Sequence, residues 1–503
     1  MKTVSETIAN TSWIFHLIFI LSLIYGLLKA IQFYGRKRYM VRVLQSFPGP
    51  PSHWLYGHLK MLEQDEELLN MTAWTEKYPH CHPLWYGIFL GFLNINHPEY
   101  AKTILSRGGK EFDFYIWLYG RGLLILDGPK WQQHRKLLTP GFHYDILKSY
   151  VTLMADSVKE MLDIWEKLIL KDATKSVEIY KYASLMSLDT IMKCKFICFI
   201  NIHRNNSYIN TVLDLSAMFE QRLKTPLYHS DLIYQFSPQG RQFFKACKLA
   251  HLHTDNVIRE RKESLKNEHE REKILKKRRL DFLDILLCAK DERGNSLSDE
   301  DIRAEVDTFM FRGHDTTASG FSWLLYCMAQ NPEHQQRCRE EIKEVLGPQE
   351  VIQWDDLGKL TYTTMCIKES FRLYPPVPLV GRELNSPVTF ADGQTLPKGF
   401  LAVVNIYTLH RNPVVWDNPE VYDPLRFSLE NSNSRHPYAF LPFVAGPRNC
   451  IGQQFAMNEM KVALALTLSR FELLPDPSKP SIPIAQLVTR SKNGIYLKLK
   501  TLC

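Results

Sequence analysis

Ten residues near the C-terminus constrain this chain most: Phe443-Val444-Ala445-Gly446-Pro447-Arg448-Asn449-Cys450-Ile451-Gly452. They set five specified residues at fixed spacing, Phe-x-x-Gly-x-Arg-x-Cys-x-Gly, directly before an amphipathic helical pattern over residues 453–471. A cysteine at a helix start feels the positive end of the helix dipole, which favours thiolate. Gly446 permits a tight turn, and backbone N–H groups can then point at the sulfur and tune its electron density. Arg448 can reach an anionic group on a ligand's rim, and Gly452 lets the helix pack close to a flat ligand. A buried, inert residue is the plain reading for nine of the ten cysteines. It fits Cys450 poorly.

The 503 residues are 45% hydrophobic and 23% charged, ample for a large core. No low-complexity linker follows residue 52 and no internal repeat is visible, so one large domain is expected over 53–503. The net charge of +8 fits an anionic membrane surface or an acidic protein partner. No basic and aromatic stripe points to nucleic acid. Residues 7–28 contain no Asp, Glu, Lys or Arg, long enough to cross a bilayer as a helix. Lys29, Arg36, Lys37, Arg38 and Arg42 follow it, with Lys2 alone before it, which puts the domain on the cytoplasmic side. A cleaved signal peptide is disfavoured by the length of the run and the missing basic start. The expected division is a transmembrane anchor at 1–30, a basic and proline-rich linker at 31–52, then the domain. Phe47-Pro48-Gly49-Pro50-Pro51 should be stiff and extended. No Cys-x-x-Cys pair occurs, which suits free thiols in a reducing compartment. His80-Cys81-His82 is too compact to chelate one zinc and reads as surface.

Ser298 with Asp301 resembles a capping box, opening a helix that can run to Gln330. Its centre, Arg312-Gly313-His314-Asp315-Thr316-Thr317, is poor helix former and asks for another reason. Glu369 and Arg372 share a face of a helix stopped by Pro375-Pro376. Taken alone they are a routine surface pair. Trp131 and Arg135 are one helical turn apart, so an indole N–H and a guanidinium can face one anion, or merely stack. Arg382 is a further anion candidate with a weaker signal.

Together and in order, these stretches resemble the cytochrome P-450 superfamily over essentially the whole chain. Gly-His-Asp-Thr-Thr at 313–317, Asn331-Pro332-Glu333-His334-Gln335 and Arg435-His436-Pro437-Tyr438-Ala439-Phe440 resemble family four, its B-type subfamily above all. The resemblance implies a mainly α fold with small β-sheets and haem b between the oxygen-binding helix and the cysteine loop. It implies Cys450 as the iron's thiolate ligand, in a loop opened by Phe443, and propionates held by Trp131, Arg135, Arg448 and Arg382; that the haem is non-covalent is expected from Arg312, not from the family, most of which esterifies its haem. Gly313 would leave room for dioxygen, with Asp315 and Thr316 delivering protons. Glu369, Arg372 and Arg426 would lock the scaffold beneath the haem. The implied activity is hydroxylation of fatty acids near the terminal methyl, or of small xenobiotics. An NADPH-dependent flavoprotein reductase, with cytochrome b5 as a second donor, would supply electrons at the endoplasmic reticulum membrane. The chain carries no flavin or NADPH fingerprint of its own. The rivals are a haem-thiolate isomerase, which the Asp315-Thr316 pair opposes, and a haem binder impaired by Arg312. The aromatic run 112–117 either lines the pocket or packs as core.

One position departs from family four. Its members mostly carry glutamate before Gly-His-Asp-Thr-Thr, which esterifies a haem methyl; here Arg312 stands there and cannot. Arg312 either pairs with Asp315, three residues on, or turns to a water or a backbone carbonyl.

Overall fold

The computed structural model describes residues 2–63, 66–88, 90–107, 122–172, 174–196, 206–268, 272, 282–288, 294, 296–347 and 351–502. The aromatic run 112–117 lies outside them. Helices dominate and the sheets are small, as expected.

The chain opens with one helix, Lys2–Leu44, of 43 residues. At 1.5 Å per residue it is about 65 Å long, about twice a bilayer's hydrocarbon thickness. Its Phe15–Leu44 part is long and apolar enough to cross a membrane, and its apolar window is not buried in the fold. The helix does not stop with the apolar run. Residues 31–44, read from composition as linker, continue it, because the first proline comes only at Pro48. Its end is fastened to the domain. Tyr39 meets Phe400 edge-on at 5.7 Å, and Leu44 and Phe47 are buried in the cluster that holds Val404 and Ile406. The proline segment is pressed onto the same region: a Cβ on Gly49 would lie 2.5 Å from the Pro83 Cδ.

The main sheet orders its strands Cys81–Tyr86, Leu90–Ile95, Leu401–Asn405 and Leu379–Glu383. The outer pairs are antiparallel and the middle pair parallel, with Leu93 opposite Ala402 and Val380 opposite Val404. Of His80-Cys81-His82, read as surface, only His80 is exposed. Cys81 and His82 are buried on the first strand, and Asn94 and Asn96 side chains reach the two His82 ring nitrogens at 3.3 and 3.1 Å. Burial drives the His82 pKa down to about 3, so the ring is neutral.

The helix Asp299–Gln330 crosses the domain and is buried along most of its length. Ser298 caps it, its hydroxyl oxygen accepting from the Asp301 N–H at 3.1 Å. It packs on Ile179–Ile191 and on Gln453–Arg470. The last of these is not amphipathic. Every residue from Val462 to Leu468 is buried, so it is a core helix, and its polar Asn458 and Glu459 are buried with the rest.

Candidate functional site

The cysteine loop is built from backbone before side chains. The Cys450 N–H donates to the Phe443 carbonyl at 2.9 Å, and the Asn449 N–H to Gly446 at 3.1 Å. Val444 and Gly446 take positive φ, 60° and 79°. A Cβ at position 446 would stand 2.1 Å from the Leu105 carbonyl oxygen, so the turn needs glycine twice over.

Behind the loop lies the arginine cluster, and it is buried rather than at the surface. Arg372 Nη2 and Nε meet the two Glu369 oxygens at 2.7 and 2.8 Å, and Arg426 Nε lies 3.5 Å from Glu369. The remaining Arg372 donors take the carbonyls of His410, Pro419 and Val421, at 3.0, 2.5 and 3.0 Å. His410 passes the constraint on. Its Nε2 accepts the Leu441 N–H at 2.8 Å, two residues before the cysteine loop begins. Burial, helped by Arg372 and Arg411, lowers the His410 pKa to about 3, which keeps the ring neutral and able to accept. The triad thus reaches the cysteine through a histidine that no motif singled out.

Cys450 opens into an internal cavity of about 400 Å³. Phe443, Arg448 and Gly452 lie on the sulfur's side, and Arg312, Gly313, Thr316 and Thr317 on the central helix form the opposing wall. Enclosure by protein pushes the thiol pKa up; the Gly452 N–H and the Arg135 charge pull it down. Helix position alone therefore does not make the thiolate, and a bound metal ion's charge is the group that would.

Trp131 and Arg135 both line this cavity from the helix Gly128–Leu138. That helix is tied to the central one by His134 on Glu305, at 2.7 Å and fully buried, and by Lys130 on Asp301 at 2.6 Å. Arg135 spans Asn449, donating to its carbonyl and its side-chain oxygen at 2.9 and 2.8 Å. Arg448 lies 4.7 Å over the Trp131 ring and donates to the Leu126 carbonyl at 2.5 Å. Arg382 is placed differently from this trio. It is buried on its strand with Nη1 on the Gly381 carbonyl at 2.8 Å, and Gly381 forms the cavity wall there.

The central helix departs from expectation at two residues. A Cβ on Gly313 would lie 2.0 Å from Ile191 Cδ1, so its bareness serves the approach of a neighbouring helix. Asp315 is buried, 2% exposed, and bound by two partners from distant parts of the chain. Arg490 Nη2 reaches both its oxygens at 2.9 Å, and the Tyr180 hydroxyl donates to it as well. Arg490, 175 residues away in the chain, is thus a cation bound to Asp315. The Thr316 and Thr317 hydroxyls donate to the carbonyls of Arg312 and Gly313, at 2.7 and 2.9 Å, a bond pattern that bends helices.

These residues suit haem. One sulfur faces a largely apolar cavity, two guanidiniums and an indole stand at its edge, and no cluster of His, Cys, Asp and Glu able to hold a metal occurs among the described residues.

Comparison with known proteins agrees. The family model described as Cytochrome P450 matches residues 47–499. Cytochrome P450 4B1 of Rattus norvegicus is 57% identical over 481 residues, 94% of this chain and 94% of its own. Cytochrome P450 4B1 of Homo sapiens is 56% identical over 488 residues, covering 96% and 95%. Cytochrome P450 4A11 of Homo sapiens is 53% identical over 507 residues, covering 99% and 96%.

Proposed function

The chain belongs to the cytochrome P450 family and is a haem-thiolate monooxygenase; from that premise we propose that it hydroxylates fatty acids at or near the terminal methyl, and small xenobiotics. The observation that carries this reading is Cys450 opening into an apolar cavity opposite Thr316 and Thr317. When bound, haem supplies activation of dioxygen and transfer of one oxygen atom to an apolar C–H bond.

The chain's own residues do the rest. Cys450 would supply the sulfur ligand, and Arg135, Arg448 and Trp131, which line the cavity, would hold the propionates. Thr316 keeps a hydroxyl proton at the cavity wall. Asp315, clamped by Arg490 and Tyr180, stands one residue away and would relay protons inward only by exchanging those partners for water. Arg312 has no carboxylate, so the haem is held without an ester bond. The helix Lys2–Leu44 anchors the enzyme in the endoplasmic reticulum membrane with the domain on the cytoplasmic side. A flavoprotein reductase supplies NADPH-derived electrons, and cytochrome b5 serves as a second donor.

The test is a product screen with full-length protein, reductase, NADPH and isotope-labelled dioxygen, offering saturated fatty acids and small aromatics. Hydroxylated product carrying one labelled atom supports the reading. Rearrangement of a lipid peroxide without reductase, and no labelled product with it, would establish an isomerase instead.

A further inference from the structure

The cavity that meets Cys450 is lined by a second charged cluster. Its lining includes Lys224, the last residue of the helix Asn206–Lys224, together with Glu220 one turn earlier and Glu67 from the helix Glu67–Lys77. The Lys224 ammonium lies 2.6 Å from Glu67 and 2.8 Å from Glu220. Glu67 is 4% exposed, Glu220 12% and Lys224 22%, so the cluster sits just inside the protein. The nearby lining is apolar, with Phe92, Phe219, Leu223, Leu401 and Val403. The other charged lining groups, Arg135, Lys195, Arg312 and Arg448, come from the elements around the cysteine loop and the central helix.

We infer that Lys224 anchors the carboxylate of a fatty-acid substrate, which displaces Glu67 from the ammonium. This rests on the fatty-acid reading above. A chain attacked at its terminal methyl must keep its head away from the sulfur. Lys224 is a lining cation that comes from none of the elements around the cysteine loop or the central helix, and apolar residues line the same cavity. Two glutamates satisfy it while the cavity holds no acid. A third carboxylate cannot enter without removing one negative charge. Glu67 is the group suited to give that charge up. Burial raises its pKa to about 7, against the pull of Lys224, with Glu220 pushing the same way as burial. The Tyr86 phenol, also on the cavity wall, faces both glutamates and stays protonated because burial raises it well above its ordinary value. Binding therefore takes up one proton: the substrate anion replaces Glu67 on Lys224, and Glu67 leaves as the neutral acid. Affinity for the acid should fall as pH rises above about 7, by up to tenfold per pH unit.

The experiment is a spectral binding titration of the full-length haem protein between pH 6 and 8. The ligands are a saturated fatty acid and the primary alcohol of the same chain length. In the wild type the acid should weaken with rising pH and the alcohol should not. Lys224→Gln should weaken the acid about tenfold while sparing the alcohol. Glu67→Gln should tighten the acid at pH 8 and flatten its pH profile. If Lys224→Gln does not fold, the Glu67→Gln profile decides alone. Equal losses for acid and alcohol, or an acid profile unchanged by Glu67→Gln, would overturn the assignment. Acid that binds and is hydroxylated with no effect of either variant sinks this proposal alone. Acid that is neither bound nor oxidised sinks the substrate reading beneath it.

Discussion

Removing the Arg372 charge should destabilise the enzyme strongly, and more so at neutral than at acidic pH. In Arg372→Met, Glu369 stays fully buried and loses two hydrogen bonds, 2.8 and 2.7 Å long, keeping only the Asp423 N–H at 2.8 Å and Arg426 at 3.5 Å. Burial already raises the Glu369 pKa against the pull of Arg372. Without that pull the carboxyl is driven further toward its neutral form, an added cost at pH 7 that shrinks toward pH 5. The carbonyls of His410, Pro419 and Val421 also lose their donor, adding about 1 kcal/mol each. The three carbonyls alone then cost about 3 kcal/mol, a large share of the 5–15 kcal/mol typical of folded domains, before the Glu369 penalty is added. The sign follows from linkage. The variant's folded Glu369 pKa lies above its unfolded value, so this penalty vanishes below the unfolded pKa and grows as pH rises. Urea unfolding of detergent-solubilised full-length variant and wild type at both pH values measures it. The difference between them should be smaller at pH 5 than at pH 7. The same loss at both pH values would refute the charge argument, leaving only the lost hydrogen bonds.

Cys450→His should abolish the red-shifted Soret band of the reduced, carbon-monoxide-bound protein, and its retention would remove Cys450 as ligand. Gly446→Ala should fail to retain haem, because both the positive φ and the Leu105 carbonyl at 2.1 Å oppose a side chain. Haem content after purification reads this out, with Gly393→Ala as the control, a glycine of positive φ and no neighbour within 4 Å. Acid and organic solvent should extract the wild-type haem completely and leave the apo-chain mass. Arg312→Glu should acquire part of its haem covalently after turnover.

What was legible in the sequence was whatever sits close together along the chain. Ser298 and Asp301 mark a helix start within one turn, and Asn331-Pro332 marks its end, so the Asp299–Gln330 span was readable. Trp131 and Arg135 share a cavity because four residues are about one turn. The partner of Asp315 was not readable, since Arg490 lies 175 residues away and no pattern surrounds it. His410 likewise acts through one ring nitrogen and one carbonyl, and neither leaves a trace in residue spacing. Gly313 lines the cavity, and the atom nearest to a Cβ there is Cδ1 of Ile191 on another helix, a contact that residue spacing does not show. The helical state of residues 31–44 was not readable from their basic composition, because basic side chains form helix as well as apolar ones do.

The unbroken helix from Lys2 to Leu44 also makes the enzyme's attitude at the membrane a matter of phase. Its lipid-side residues and its domain-side contact, Tyr39 on Phe400, are set on a single rod with no swivel between them. One residue added between positions 28 and 39 would advance the domain about 1.5 Å and turn it by about 100° about the rod. A different face would then meet the headgroups. Adding about seven residues, close to two full turns, would nearly restore the original face while raising the domain by about 10 Å. Face and height can therefore be varied almost independently with the catalytic chain left untouched.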